Sequence, residues 1–149
     1  RDSFVPVDFE AGDSWKEKLL KNGFDFSRPA VLGSTGVSMY LTKEANLATL
    51  REISTFAKGS VFAMSFILTL DLIDPAARPH HEMVYDRARA AGTPFLSFFR
   101  PEEILALARE AGFSEATHVS RADLIKKYFS KRSDGLVPAS GEELLVAKV

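Results

Sequence analysis

Two apolar runs that do not alternate constrain this chain more than any other feature. The first, Ala30-Val31-Leu32, lies inside the stretch PAVLGSTGVSMYLT from Pro29 to Thr42. The second runs from Ser60 to Leu70, with Val61, Phe62, Met64, Phe66, Ile67 and Leu68 placing apolar groups at both parities. A strand that is apolar at both parities is buried on two faces, the situation of a parallel sheet covered by helices. Between the runs, Lys43 to Ala57 carries a clear helical stripe of Leu47, Leu50, Ile53 and Phe56, with Thr42 as N-cap and Lys58-Gly59 as its stop. Strand, helix and strand in that order predict a parallel crossover unit and an α/β fold.

The first run breaks at Gly33-Ser34-Thr35-Gly36, where two glycines permit backbone conformations and close ligand approach that side chains forbid. Open α/β sheets bind ligands outside the carboxyl ends of their strands. The turn at Thr35 and Gly36 is therefore the expected functional locus.

The remaining elements follow from simpler signals. Phe4 to Phe9 reads as a strand with Pro6 near its start and Asp8 at its carboxyl end. Trp15, Leu19 and Leu20 recur at helical spacing up to Asn22-Gly23. Asp71 to His80, with Asp74-Pro75 and Arg78-Pro79, reads as loop, and His81 to Ala91 as a polar helix. Thr93 to Phe99 is a connection holding three aromatics, Phe95, Phe98 and Phe99. Pro101 opens an amphipathic helix that ends at Gly112. A strand over Phe113 to Val119, a helical segment over Ala122 to Phe129, and a last strand over Glu142 to Val149 complete the order. The last two strands lie close enough in sequence to pair antiparallel.

Composition removes several classes of function. A chain of 149 residues is the size of one domain, here 1–149, and can bury about 68–70 % of its extended surface. A net charge of −1 gives no electrostatic basis for nucleic acid or an anionic membrane as partner. With no cysteine there is no disulfide framework and no thiol chemistry, which fits a cytoplasmic location. The longest apolar run is half of the roughly 20 residues a membrane helix needs. His80-His81-Glu82 is not expected to bind a metal, because adjacent histidines on a helix point about 100° apart.

Four pieces of the chain, VPVDFE, WKEKLLKNGFDFSRP, TGVSMYLTKEA and FFRPEEILALAREAGF, together resemble the leucine carboxyl methyltransferases and the bacterial methyltransferases grouped with them. The resemblance implies a partial Rossmann-like methyltransferase sheet, strands 3 to 7 of the order 3-2-1-4-5-7-6, with the last strand antiparallel. It implies S-adenosyl-L-methionine as cofactor and methyl transfer to an oxygen, carboxylate or hydroxyl, of a small molecule. Asp8 and Phe9 are implied to face the adenine, and Thr35 and Gly36 to lie beside the methionine and ribose. Thr35 stands where the family commonly has an acidic residue, so a hydroxyl replaces a charge there. No G-x-G-x-x-G occurs anywhere in the chain. The resemblance therefore places the chain in the C-terminal portion of such a domain, a fragment not expected to bind cofactor well alone. With the first two strands absent, the Ala30 to Leu32 strand becomes a free apolar edge, which invites pairing as a homodimer.

Several residues carry two readings. Tyr40 packs under the following helix or lines the acceptor pocket, where a hydroxyl acceptor would need a base. His118 is a half-buried imidazole in a strand, or that base. Phe95, Phe98 and Phe99 form a satellite core under their loop, or a substrate wall. For the whole chain the alternative to an enzyme is a non-catalytic α/β module that self-associates through its edge. A domain for another nucleotide is disfavoured by the lack of a phosphate loop.

Overall fold

The computed structural model describes residues 4–7 and 14–149. The sheet contains β1 (Val31–Ser34), β2 (Val61–Ile67), β3 (Glu115–Val119) and β4 (Glu142–Lys148), in the order β1-β2-β4-β3. β1 pairs parallel with β2, while β4 runs antiparallel to both β2 and β3. The crossover expected between the two apolar runs is thus present, and so is the antiparallel last strand. The helices are α1 (Trp15–Lys21), α2 (Lys43–Ile53), α3 (Arg78–Ala90), α4 (Pro101–Ala111) and α5 (Arg121–Leu124). Thr42 caps α2 as its residue type predicts, its hydroxyl accepting from the Ala45 N–H at 3.1 Å.

The register divides the sheet into two unlike faces. Phe62, Met64 and Phe66 of β2 stand opposite Ala147, Leu145 and Glu143 of β4, on one face. That face is covered by Leu50 and Ile53 of α2 and by Ile104, Ala108 and Ala111 of α4, which together form the core. The Lys43 ammonium donates to the Glu103 carboxylate and so clips α2 to α4. That bond, with the Arg100 N–H, holds the Glu103 carboxyl below the usual carboxylate range. Because the folded value lies below the unfolded one, this stabilisation is complete above the unfolded value and disappears as pH falls through the folded one. Urea titrations at pH 7 and pH 3 are expected to show Glu103→Gln destabilising at the higher pH and closer to neutral at the lower.

The other face is unevenly covered: Ser65 and Ile67 of β2 are buried there, whereas its β1 side is open. Val31 is 86 % exposed, Gly33 is exposed, and Val61, Ala63 and Val146 are only half-buried. The burial of β1 on both faces, expected from its apolar run, is therefore corrected: β1 is an edge strand with helices on one side. A strand over Phe4 to Phe9 is not found in its described part. Residues 4–7 have no ladder partner and Phe4 is 95 % exposed. Among the described residues nothing lies beyond β1 for such a strand to pair with. Asp8 and Phe9 lie outside the described residues. α3 begins three residues earlier than expected, at Arg78, because Pro79 occupies the first turn, where a missing N–H costs nothing. The segment after Ala122 divides into α5 and a π-helical turn over Ile125–Phe129.

Candidate functional site

The turn after β1 is braced from three sides. Gly36 has φ +70, the left-handed region that glycine enters freely, and its N–H donates to Ser65 Oγ in β2 at 2.8 Å. Ser38 opens a 3-10 turn over Ser38–Tyr40, and its hydroxyl donates to the Ser65 carbonyl at 2.7 Å. Asn46 of α2, 2 % exposed, donates to the carbonyls of Ser38 and Thr42, both at 3.0 Å. From the third side Ser97 Oγ donates to the Leu41 carbonyl at 2.6 Å, and the Leu96 N–H to that of Met39 at 2.6 Å. A Cβ built on Gly33 or Gly36 would meet nothing within 4 Å. The backbone of this turn is thus fixed and bare, the condition for a ligand to lie against it.

Asn46, Ser65 and Ser97 escaped the sequence reading. Each left a signal: a polar residue at a position where the surrounding pattern demands an apolar one. Asn46 falls on the stripe of Leu50 and Ile53, Ser65 inside the second apolar run, and Ser97 between Phe95 and Phe98. Buried polar groups are retained where they satisfy backbone that has no secondary-structure partner.

Tyr40 stands just beyond the turn, 44 % exposed, and does not pack under the following helix. Its ring meets Phe95 edge-on at 5.2 Å, Phe95 lies 5.3 Å from Tyr85, and Tyr85 lies 5.0 Å from Phe98. The Tyr85 hydroxyl is 3.2 Å from His81 Nδ1, and His81 Nε2 is 2.7 Å from the Ser140 carbonyl. A carbonyl only accepts, so Nε2 carries the proton and Nδ1 accepts from Tyr85. Burial pushes the Tyr85 phenol above its usual range, which keeps it a donor. The structure therefore brings Tyr40, Phe95 and Phe98 together and adds Tyr85. Phe99 is a correction: fully buried, it packs edge-on against Phe66 at 6.4 Å under the Lys43 ammonium. Its backbone pairs with Leu68 beyond the end of β2, which turns the side chain into the core and away from any open wall.

His118 is not brought to the turn. Its Nε2 lies 2.5 Å from Glu143 Oε2, on the helix-covered face beside Phe66. Two clefts flank the turn instead. One, of about 440 Å³, opens between the β1 edge and α2, lined by Trp15, Leu32, Val37, Thr49, Ile53 and Met64. The other, of about 300 Å³, lies on the unevenly covered face and is lined by Thr35, Ser65, Leu124, Pro138, Glu142 and Leu144. Among the described residues no three metal-binding side chains cluster, and no helix is long and apolar enough to cross a membrane.

A braced, glycine-bearing turn at the carboxyl end of a parallel strand stands where open α/β sheets hold their ligands. Residues 1–54 match the leucine carboxyl methyltransferase family. A protein of Mycobacterium avium (strain 104) is 35 % identical over 78 residues, covering 51 % of this chain and 26 % of its own length. One of Mycolicibacterium paratuberculosis (strain ATCC BAA-968 / K-10) is 30 % identical over 135 residues, covering 83 % and 42 %. Both are named as candidate S-adenosyl-L-methionine-dependent methyltransferases. The chain is thus similar to the leucine carboxyl methyltransferase family over its first 54 residues and to these two proteins over more of its length, and it spans between about a quarter and two fifths of the length of the two relatives.

Two solved structures share the fold. A candidate O-methyltransferase of Nostoc punctiforme PCC 73102 aligns with TM-score 0.53 at 16 % identity, covering 83 % of this chain and 33 % of that one. A S-adenosylmethionine-dependent methyltransferase of Thermotoga maritima aligns with TM-score 0.51 at 17 % identity, covering 79 % and 54 %. At that identity the likeness establishes a Rossmann-like architecture.

Proposed function

We propose that this chain is the C-terminal, acceptor-side portion of an S-adenosyl-L-methionine-dependent methyltransferase domain that methylates an oxygen of a small molecule. The observation that carries the reading is the sheet order β1-β2-β4-β3 with β4 antiparallel, the order expected if these are strands 4-5-7-6 of the methyltransferase sheet. In that frame the free edge of β1 faces the strands that hold the rest of the cofactor site. The turn suits one flank of that cofactor: Gly33 and Gly36 leave space for close backbone approach, and Thr35 offers a hydroxyl. When bound, the cofactor supplies a methyl group activated on a sulfonium. The residues of this chain position that group and the acceptor and exclude water. A carboxylate acceptor needs no base; a hydroxyl must lose a proton, and Tyr40 is the phenol nearest the turn. The exposed edge at Val31 also supports a second reading, a non-catalytic module that pairs through β1 as a homodimer.

One measurement separates the two. The polypeptide carrying these residues, isolated from its source, is expected to have an intact mass well above 16.4 kDa and to bind S-adenosyl-L-homocysteine in calorimetry. Thr35→Val and Gly36→Val are expected to weaken that binding about tenfold or more, as lost hydrogen bonding and obstructed backbone would. A source polypeptide of 16.4 kDa that binds none overturns the enzyme reading in favour of the module.

A further inference from the structure

The 300 Å³ cleft on the unevenly covered face has features that the cofactor reading does not use. It opens at the carboxyl ends of β1 and β2, beside the braced turn. Its floor is Ser65 and Leu144, which stand opposite each other in the β2–β4 ladder, and its rim is Glu142, opposite Ile67. Leu124 and Pro138 supply apolar walls, and Thr35 a hydroxyl. The wall at Pro138 is anchored rather than loose. Arg121 Nε donates to the Pro138 carbonyl at 2.8 Å, the Asp74 N–H reaches Ser140 Oγ at 3.3 Å, and the Leu68 N–H donates to the Gly141 carbonyl at 2.8 Å.

Glu142 is the only charged residue of that lining. It makes no hydrogen bond or ion pair among the described residues, whereas the adjacent Glu143 is held on the opposite face by His118 and the Arg121 N–H. Arg121, which braces the wall from outside the lining, is engaged with the Pro138 carbonyl and forms no ion pair with Glu142. An apolar cleft with one uncompensated carboxylate at its mouth favours an apolar body bearing a positive charge and repels a negative one. We infer that this cleft is the acceptor site and that it recognises a small hydrophobic or aromatic acceptor by an ammonium group held by Glu142, in preference to a carboxylic acid; the ammonium has no lone pair and serves as the recognition group, the methylated oxygen being a hydroxyl elsewhere on the same molecule. The inference rests on the methyltransferase reading for the word acceptor. The charge preference stands on the cleft alone.

Three probes of one shape test it: phenethylamine, phenethyl alcohol and phenylacetate, titrated into ¹⁵N-labelled protein. Phenethylamine is expected to shift the amide signals of Gly36, Ser65, Leu124 and Leu144 and to bind at least fivefold more tightly than phenylacetate. Glu142→Gln, at an exposed position without partners, is expected to keep the spectrum of the folded protein and the affinity for phenethyl alcohol while erasing the preference for the amine. Leu124→Arg is expected to block all three probes. Failure of every probe to bind, shifts confined to other residues, equal affinity for amine and acid, or a preference that survives Glu142→Gln each overturns the inference. S-adenosyl-L-homocysteine binding by the source polypeptide tests the cofactor reading separately. Amine binding to the cleft with no cofactor binding by that polypeptide leaves the cleft and loses the methyltransferase; the reverse loses only the ammonium recognition.

Discussion

Gly141→Ala is expected to destabilise the protein by about 2–5 kcal/mol, the sum of a left-handed backbone penalty of about 1–2 and an overpacking cost of about 1–3. Gly141 has φ +96, and a Cβ there would lie 2.6 Å and 2.8 Å from His81 ring atoms and 2.9 Å from Ile73 Cδ1. None of these can give way cheaply. Ile73 is 1 % exposed, and the His81 ring is fixed at both nitrogens, by Ser140 and by Tyr85. Equilibrium urea unfolding checks the value, and a loss below about 1 kcal/mol would show that the 138–141 segment relaxes freely. His81→Ala in the same background removes the two ring contacts and is expected to recover part of the loss, leaving the Ile73 contact and the backbone cost. Because this segment walls the 300 Å³ cleft, Gly141→Ala is also expected to weaken phenethylamine binding in samples that remain folded.

Much of this geometry lay within reach of the sequence, and the rest was hidden for definite reasons. The Ser60 to Leu70 run marked a strand covered on two sides, and β2 is the best buried of the four strands. The same pattern at Ala30 to Leu32 marked burial too, yet Val31 is 86 % exposed. Apolar periodicity records what a strand is built to meet, and at β1 the described residues supply only one of the two faces. The turn at Thr35 and Gly36 was legible because glycine at a strand end has few other uses. Its braces Asn46, Ser65 and Ser97 were not, since each satisfies carbonyls or an N–H brought near by tertiary structure. Phe99 illustrates the opposite error. Three aromatics close together looked alike, but the bridge between Leu68 and Phe99 sends one side chain into the core while Phe95 and Phe98 join Tyr40 and Tyr85. His81 lies in a His-His-Glu run that carries no expectation of a metal, and nothing in that run announces that its ring pins the Ser140 carbonyl in the segment beside the cleft.

Glu143 offers the second large effect, with a sign that depends on what replaces the pair. Its side chain is 11 % exposed, and its carboxylate accepts the Arg121 N–H at 2.9 Å and lies 2.5 Å from His118 Nε2. The pair joins β3 to β4 at the carboxyl end of β3, where the chain turns into α5. Glu143→Ala leaves the Arg121 N–H and the imidazole without acceptors in a partly buried site. Leaving a buried donor unsatisfied costs about 1–3 kcal/mol; two donors are orphaned here, and His118 retains 22 % side-chain exposure, so about 2–4 kcal/mol is expected. His118→Phe with Glu143→Leu removes both polar groups beside Phe66 and is expected to recover most of that loss, because an apolar pair needs no desolvation to be offset. Thermal unfolding of the two variants decides the matter. A double replacement as unstable as Glu143→Ala would show that the carboxylate is needed chiefly for the Arg121 N–H. Recovery would show that the dyad is a polar clasp between strands rather than a source of net stability. Neither replacement alters the lining of the 300 Å³ cleft, since Glu143 and His118 lie on the helix-covered face and Glu142 on the other. Phenethylamine binding is therefore expected to survive the double replacement wherever the fold does, which separates the clasp from the candidate acceptor site.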